Sequence, residues 1–340
     1  MINAYPLGKY SHRQPLAYRP VRDACADHLR LTTALPDADV VILAHSKDLD
    51  AHGTGLAAAL EAHQRLVLLS EEPFWDTVWG RDPLRRVQHH PTDAGPLAFV
   101  CLNHHTSRIY DFDEIPYFLL TDARFFTRYA SWFRRNAARD TAHWQAHFAE
   151  ARHAVVFLAE YRDEARFDVT FDGHDIFGMG RLRTQIALAC NGPDVLRSGA
   201  GWNTLPRRQD LPDWHLDKFL ELDGRCRILS AIENTHQASY VSEKLFDAYA
   251  VGAVPLFVAG PGHRVHDLVP EGSFLNLYGL TPEAAAARIA AFVPDEAFIA
   301  RYHAAQTKLA ALFASPAALV RERARLGTAL WRELSAVVSK

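Results

Sequence analysis

Residues 231–257, AIENTHQASYVSEKLFDAYAVGAVPLF, gather the side chains of this chain best suited to chemistry. An apolar run ends at Ile232, and Glu233, Asn234 and Thr235 follow where a buried strand emerges from a sheet edge. Ser242 is placed to cap a helix whose first turn holds Glu243 and Lys244, and Gly252 to close it in the left-handed conformation. Residues 253–258 then return as a second apolar strand. A helix N-terminus at the carboxyl end of a parallel sheet offers phosphate its free N–H groups and a favourable dipole. Lys244 adds a full positive charge there, and Glu243 a bidentate acceptor suited to ribose hydroxyls. Together these parts suit a nucleoside diphosphate.

The same segment resembles a known family. The pattern E-N-[ST], then Y-[VIT]-[ST]-E-K, then G-[AT]-[VI]-P resembles the donor-binding signature of the α-1,3-fucosyltransferases, glycosyltransferase family 10. The matching residues are Glu233, Asn234 and Thr235; Tyr240, Val241, Ser242, Glu243 and Lys244; and Gly252, Ala253, Val254 and Pro255. The resemblance implies that Asn234 and Glu243 hold the ribose and phosphate region of GDP-fucose and that Tyr240 lines the sugar pocket. Glu233 is a further candidate for donor contact. His236 is placed either to touch the donor or to sit in a solvated loop.

Two more segments resemble family elements. In GRLRTQIALA, 180–189, an arginine opens a helix and contacts the donor diphosphate; Arg183 is the better match and Arg181 the alternative. The planar guanidinium fork pairs two phosphate oxygens and stays protonated. In LLSEEPFWD, 68–76, an acidic pair and a proline follow a strand, resembling the family's E-S-P element with its general base. Aligned that way Glu71 is the base, Glu72 takes the serine position and Pro73 matches. Burial beside a like charge would raise such a carboxyl toward a useful range.

Length and composition agree with an intracellular two-domain enzyme. The 340 residues suit two domains, and 49% apolar with 23% charged residues is globular. A net charge of −3 argues against a nucleic-acid partner. Cys25, Cys101, Cys190 and Cys226 are scattered, as reduced buried thiols would be. Neither a signal peptide nor a transmembrane run is visible, which resembles the bacterial branch of the family and a cytoplasmic location.

Apolar runs at 38–43, 65–69, 96–102, 154–158, 227–232 and 253–258 predict strands. Residues 55–63, 121–150, 181–190 and 282–338 predict helices, the last interrupted at Pro294 and Pro316. The expected domains are 1–152, binding the acceptor, and 153–340, binding the donor. Two Rossmann-like domains facing a central cleft form the GT-B architecture, which the resemblance also implies.

Several features are set aside. Asp37 and Asp39 form a D-x-D that reads as a turn cap before a strand. His89-His90 and His104-His105 are poor chelating pairs, because neighbouring strand residues face opposite ways. Gly178-Met179-Gly180 and Gly260-Pro261-Gly262 are too short to cradle phosphate alone. No metal is expected to be required.

The expected function is inverting transfer of fucose from GDP-fucose, a co-substrate, to a surface glycan such as lipopolysaccharide. The rivals are a GT-B transferase using another nucleotide-activated sugar and a non-catalytic carbohydrate-binding relic. Residues 317–338 form a basic amphipathic helix with Leu319, Leu326, Leu330, Leu334 and Val337 near one face. That face is suited either to peripheral contact with the inner membrane or to packing on the protein body.

Overall fold

Short apolar runs rich in branched residues, separated by helices, build two parallel sheets. In the first lie β1 (Ile2–Pro6), β2 (Leu29–Leu31), β3 (Val40–Leu43), β4 (Arg65–Leu69), β5 (Val87–Thr92) and β6 (Gly95–Leu102), in the order β2-β1-β3-β4-β6-β5. All pairings are parallel except the β5–β6 hairpin. All four residues of β3 are buried, as a strand covered on both faces requires. The helix Ser46–Ala59 starts well before the predicted 55, because His45 Nδ1 accepts a hydrogen bond from Lys47 N at 3.1 Å and caps it. Val41, Leu43, Leu49, Leu56, Leu66 and Leu68 form a core on that side of the sheet.

The second set comprises β7 (His153–Leu158), β8 (Phe177–Gly178), β9 (Val195–Ser198), β10 (Cys226–Ser230), β11 (Thr235–His236), β12 (Val254–Phe257) and β13 (Leu275–Asn276). Five of them form a wholly parallel sheet, β13-β12-β10-β7-β9, and β8 pairs antiparallel with β11. Each sheet with its helices is a Rossmann-like α/β unit, the building block of the GT-B class.

This computed structural model describes residues 1–80, 82–204 and 210–339. Its two units are Met1–Ala123 with Ala317–Lys340, and Arg124–Pro316. The sequence-based boundary near 152 therefore moves in two places. The helices Ala123–Ala137 and Thr141–Glu150 pack with the second unit: Asn136 Nδ2 donates to the carbonyls of Tyr249 and Ala250 at 3.0 Å, and Trp144 meets Tyr302 edge-on. The helix Pro316–Val338 belongs to the first unit, where the buried Glu322 carboxylate accepts from Asp113 N at 2.9 Å. Glu333 pairs there with Arg86 at 2.6 Å.

That helix spends its apolar stripe on packing. Leu326, Leu330 and Leu334 have no accessible surface, and Val337 is buried. Three of its arginines have partners on the protein: Arg321 pairs with Glu114, Arg323 donates to Leu120 O and Arg325 pairs with Glu322. Among the described residues, no helix is long and apolar enough to cross a membrane. All four cysteines are free and buried. Asp39 accepts from Asn3 N of β1 at 2.7 Å, a contact between neighbouring segments of the sheet rather than the expected turn cap, and Asp37 is exposed.

Because Leu330 is fully enclosed, Leu330→Ala is expected to cost about 2–5 kcal/mol from lost transfer energy plus the cavity left behind. Urea unfolding followed by circular dichroism measures this. An unchanged midpoint would show that the helix is not part of the first unit's core.

Candidate active site

The chain leaves β10 still buried, and Glu233 is the first charged residue it meets; its side chain is 1% accessible. Burying a carboxylate is costly unless it is paired and hydrogen-bonded. Here Oε1 accepts from Ser242 N at 2.7 Å, and Oε2 accepts from Ser242 Oγ at 2.9 Å and Lys244 Nζ at 2.8 Å. The Ser242 hydroxyl in turn accepts from Lys244 N at 3.4 Å and Lys244 Nζ at 2.9 Å. One donor and two acceptor sites are thereby filled. The predicted cap is present, with Ser242 ahead of the helix Glu243–Ala250, and Gly252 at φ +83° closes it as expected. Burial pushes the Glu233 carboxyl above its ordinary range, and the Lys244 ammonium pulls against it.

Asn234 ties in the second cation. Its carbonyl accepts from Met179 N at 2.8 Å, next to the β8–β11 pairing, which brings the start of the helix Gly180–Ala189 beside the loop. Arg183 Nη1 then donates to Ile232 O at 3.2 Å and to Asn234 Oδ1 at 3.3 Å. The guanidinium is buried, and its Nε has no partner among the described residues. Burial, and then the charge of Arg162, bring Arg183 down to about 10. It therefore stays charged at neutral pH. Arg162 is itself paired with Glu160 at 2.7 Å, and the Glu233 and Glu160 carboxylates offset part of this repulsion.

The other donor candidates divide. Arg181 faces away, in ion pairs with Asp163 and Asp168, so of the two arginines the buried one is Arg183. Glu243 lies 3.8 Å from Lys244 Nζ; burial opposes its charge, but Lys244 and Lys218 carry its carboxyl below the ordinary range. Tyr240 is enclosed, with its ring close enough to Arg183 to feel its charge, rather than forming an open pocket wall. His236 is neither solvated nor open. Its Nδ1–H donates to Asp175 O at 2.8 Å, Nε2 accepts from Gly260 N at 2.9 Å, and the ring stacks on Phe177. It staples two loops as a neutral imidazole, and burial keeps it below its usual range. A side chain on Gly260 would meet the Asp175 carboxylate at 2.4 Å and the Tyr278 ring at 3.1 Å, so those side chains would have to shift.

Two groups escaped the sequence reading. Arg162, just past the carboxyl end of β7, brings the second guanidinium; a cation directly after a strand of the same sheet was the available signal. A buried network of Tyr129, His215, Lys218 and Asp247 backs the helix Glu243–Ala250. Tyr129 Oη donates to Asp247 Oδ1 at 2.6 Å, His215 Nε2 lies at 2.6 Å from the same oxygen, and Lys218 pairs with Oδ2. These residues come from three distant helices, so no local pattern announces them. A cavity of about 390 Å³ lined by Val155, Cys190, Arg227 and Ala286 sits at the amino ends of the same strands, away from these groups.

In the first unit, Glu71 follows β4 and Ser70 and is 0% accessible. Oε1 accepts from Arg13 Nε at 3.0 Å and Tyr18 Oη at 2.8 Å, and Oε2 accepts from Tyr117 Oη at 2.6 Å. Its carbonyl accepts from His104 Nε2 at 3.1 Å. Burial pushes the carboxyl above its ordinary range against the pull of Arg13 and the two phenols. Glu72 is the N-cap of the helix Pro73–Trp79, accepting from Phe74 N at 3.4 Å. A serine at this position could make the same cap. His89 is exposed and His90 buried, on opposite faces of β5 as expected. Among the described residues no group of three or more His, Cys, Asp or Glu is placed to hold a metal ion.

Glu233→Gln keeps the shape of the anchor but removes its charge, leaving Lys244 without its buried counter-ion. A loss of about 3 kcal/mol is expected. Thermal unfolding of the variant against the parent reads it out, and an unshifted melting temperature would mean the carboxylate does not hold the loop.

Residues 207–323 match the family described as glycosyltransferase family 10 (fucosyltransferase), C-terminal part. A crystal structure of an α1,3-fucosyltransferase with GDP-fucose is similar at 12% identity and TM-score 0.43, covering 92% of this chain and 81% of that one. A further α1,3-fucosyltransferase crystal structure is similar at 13% identity and TM-score 0.40, covering 92% of this chain and 80% of that one. No curated protein matches the chain.

Proposed function

We propose that this chain is a glycosyltransferase family 10 enzyme, an inverting α-1,3-fucosyltransferase moving fucose from GDP-fucose to a surface glycan of lipopolysaccharide type. The observation that carries the donor half is the anchoring of two cations on one loop. Arg183 and Lys244 come from different helices, and both bind residues 232–234 at the carboxyl end of β10. That edge is where open α/β sheets receive ligands.

In this reading Arg183 and Lys244 neutralise the diphosphate as it departs. Fixed cations in a site poor in water do so without reorganising, and a metal ion is not required. Glu243, at the N-terminus of its helix, accepts from the ribose hydroxyls, and Asn234 orients Arg183. Tyr240 supports the sugar pocket from behind. Glu71 is the general base, and burial, by raising its carboxyl, makes it a stronger base than an ordinary carboxylate. Attack from the face opposite the diphosphate turns a β-linked donor into an α-linked product. A cytoplasmic place for the enzyme goes with a nucleotide-sugar donor. Membrane contact through 317–338 would require that helix to undock, since its apolar stripe is buried.

GDP titration by calorimetry in excess EDTA tests the donor site. Lys244→Ala and Arg183→Ala are each expected to weaken binding by about 1.5–3 kcal/mol, the worth of a hydrogen bond to a charged group. Undiminished affinity in either variant removes that residue from the phosphate site. Parent affinity that collapses in chelator and returns with a divalent cation would put a metal back into it.

The base is tested by turnover. Glu71→Gln should lose about 10²–10⁴-fold while binding GDP as before. The base must be ionised, so parent kcat should rise with pH through a midpoint above the ordinary carboxylate range, and the variant should lack this limb. Glu72→Gln should keep most of the turnover, because that side chain caps a helix and glutamine can still accept the same hydrogen bond. Reversed effects would exchange the two assignments.

A further inference from the structure

Glu71 has no accessible surface, yet a general base must reach a proton on its substrate. The proton therefore has to arrive through one of the groups already on the carboxylate. Arg13 cannot serve, because a guanidinium does not give up its proton in a protein. Tyr117 cannot receive a substrate: it is 2% accessible, and its ring packs edge-on against buried Tyr110 at 5.0 Å. Tyr18 differs. It ends the turn Pro15–Ala17, is only half-buried, and holds its hydroxyl 2.8 Å from Oε1.

We infer that Tyr18 is the catalytic residue that touches the acceptor hydroxyl and relays its proton to Glu71. A phenol has one donor and two acceptor sites. The donor is spent on Glu71, and Oη makes no other hydrogen bond among the described residues, so it can accept from an incoming hydroxyl. As the acceptor oxygen bonds to the anomeric carbon, the bond from that carbon to the diphosphate breaks and the electron pair leaves with the diphosphate. The acceptor proton passes to Tyr18 Oη while the phenolic proton passes to Glu71 Oε1. Tyr18 stays neutral throughout, and Glu71 ends as the acid, returning its proton to water by the same route. Burial and the adjacent Glu71 charge hold the phenol well above its ordinary range, which suits a relay that is never a free phenolate.

The surroundings fit a sugar acceptor. Arg13, half-exposed, joins the Glu71 carboxylate to an aromatic patch: its guanidinium lies 5.3 Å over Trp75, which packs against His45 and Tyr10. Such rings offer apolar faces to the C–H side of a pyranose while its hydroxyls meet the polar edge.

This inference rests on Glu71 being the base, and the test separates the two. GDP release from GDP-fucose is followed with water and with a lipopolysaccharide-derived glycan mixture as acceptors. The parent is compared with Tyr18→Phe, Tyr117→Phe, Glu71→Gln and the double variant Tyr18→Phe/Glu71→Gln. Each single phenylalanine variant removes one hydrogen bond from the same carboxylate, and Tyr117 makes the shorter one. Tyr18→Phe is expected to lose about 10²-fold or more in kcat, to flatten the acid limb of the pH profile, and to bind GDP normally. Tyr117→Phe should lose less than about tenfold and keep the limb. The double variant should be no slower than Glu71→Gln alone, since both changes break one proton path. Equal losses in the two phenylalanine variants would overturn the relay and leave Glu71 as base. Full turnover in Glu71→Gln, or no GDP release by the parent, would overturn the reading beneath it.

Discussion

The second unit depends on one interaction, the Glu233 carboxylate buried at the joint between β10 and the helix Glu243–Ala250. An anion in that place is tolerable only when each lone pair finds a donor, and the donors it finds are the backbone and hydroxyl of Ser242 and the ammonium of Lys244. Satisfying the carboxylate therefore fixes the loop, caps the helix and aims a lysine in one step. The same loop offers the Ile232 and Asn234 oxygens that hold Arg183. The cations are positioned because a buried acid needed partners, and the chemistry follows from that constraint.

The first unit uses the same device with a different outcome. Glu71 also follows a buried strand and also fills its lone pairs, but with one guanidinium and two phenols. Phenols can pass a proton on, whereas an ammonium locked between two oxygens serves better as a fixed charge. The two buried glutamates thus differ in their partners, one held by an ammonium and a serine, the other by a guanidinium and two phenols, which is what the proposed roles draw on. In both, burial opposes ionisation and neighbouring donors restore it, so each carboxylate is held in tension by its own setting.

Support extends behind the reactive groups. Asp247, one turn along the helix that carries Glu243, is held low by Lys218 and His215 despite its burial, and Tyr129 completes its bonding. His236 and Gly260 join two loops through a neutral ring whose nitrogens are both used. Neither group needs to touch a substrate to matter. A charge displaced by an ångström loses much of its value in a site poor in water, so the surrounding bonds set how well the cations work.

The sequence by itself determined the parts whose signal is local. A strand run, a serine ahead of Glu243 and Lys244, and a glycine able to take positive φ were enough to read the strand–loop–helix unit, because capping and turn geometry act over a few residues. The elements β3, β4 and β6 were legible from their apolar runs. β1, β2, β9 and β13 are short or weakly apolar and become strands only through their neighbours. Which arginine is buried, that Tyr240 is enclosed and that His236 is a staple were decided by tertiary contacts. So were the boundaries: the helices at 123–150 join the second unit and the last helix joins the first, because their apolar faces find partners far away in sequence. The identity of Glu71's ligands, from positions 13, 18 and 117, has the same origin. Backbone preference travels along the chain, whereas the cost of burying a charge is met by whatever the fold brings beside it.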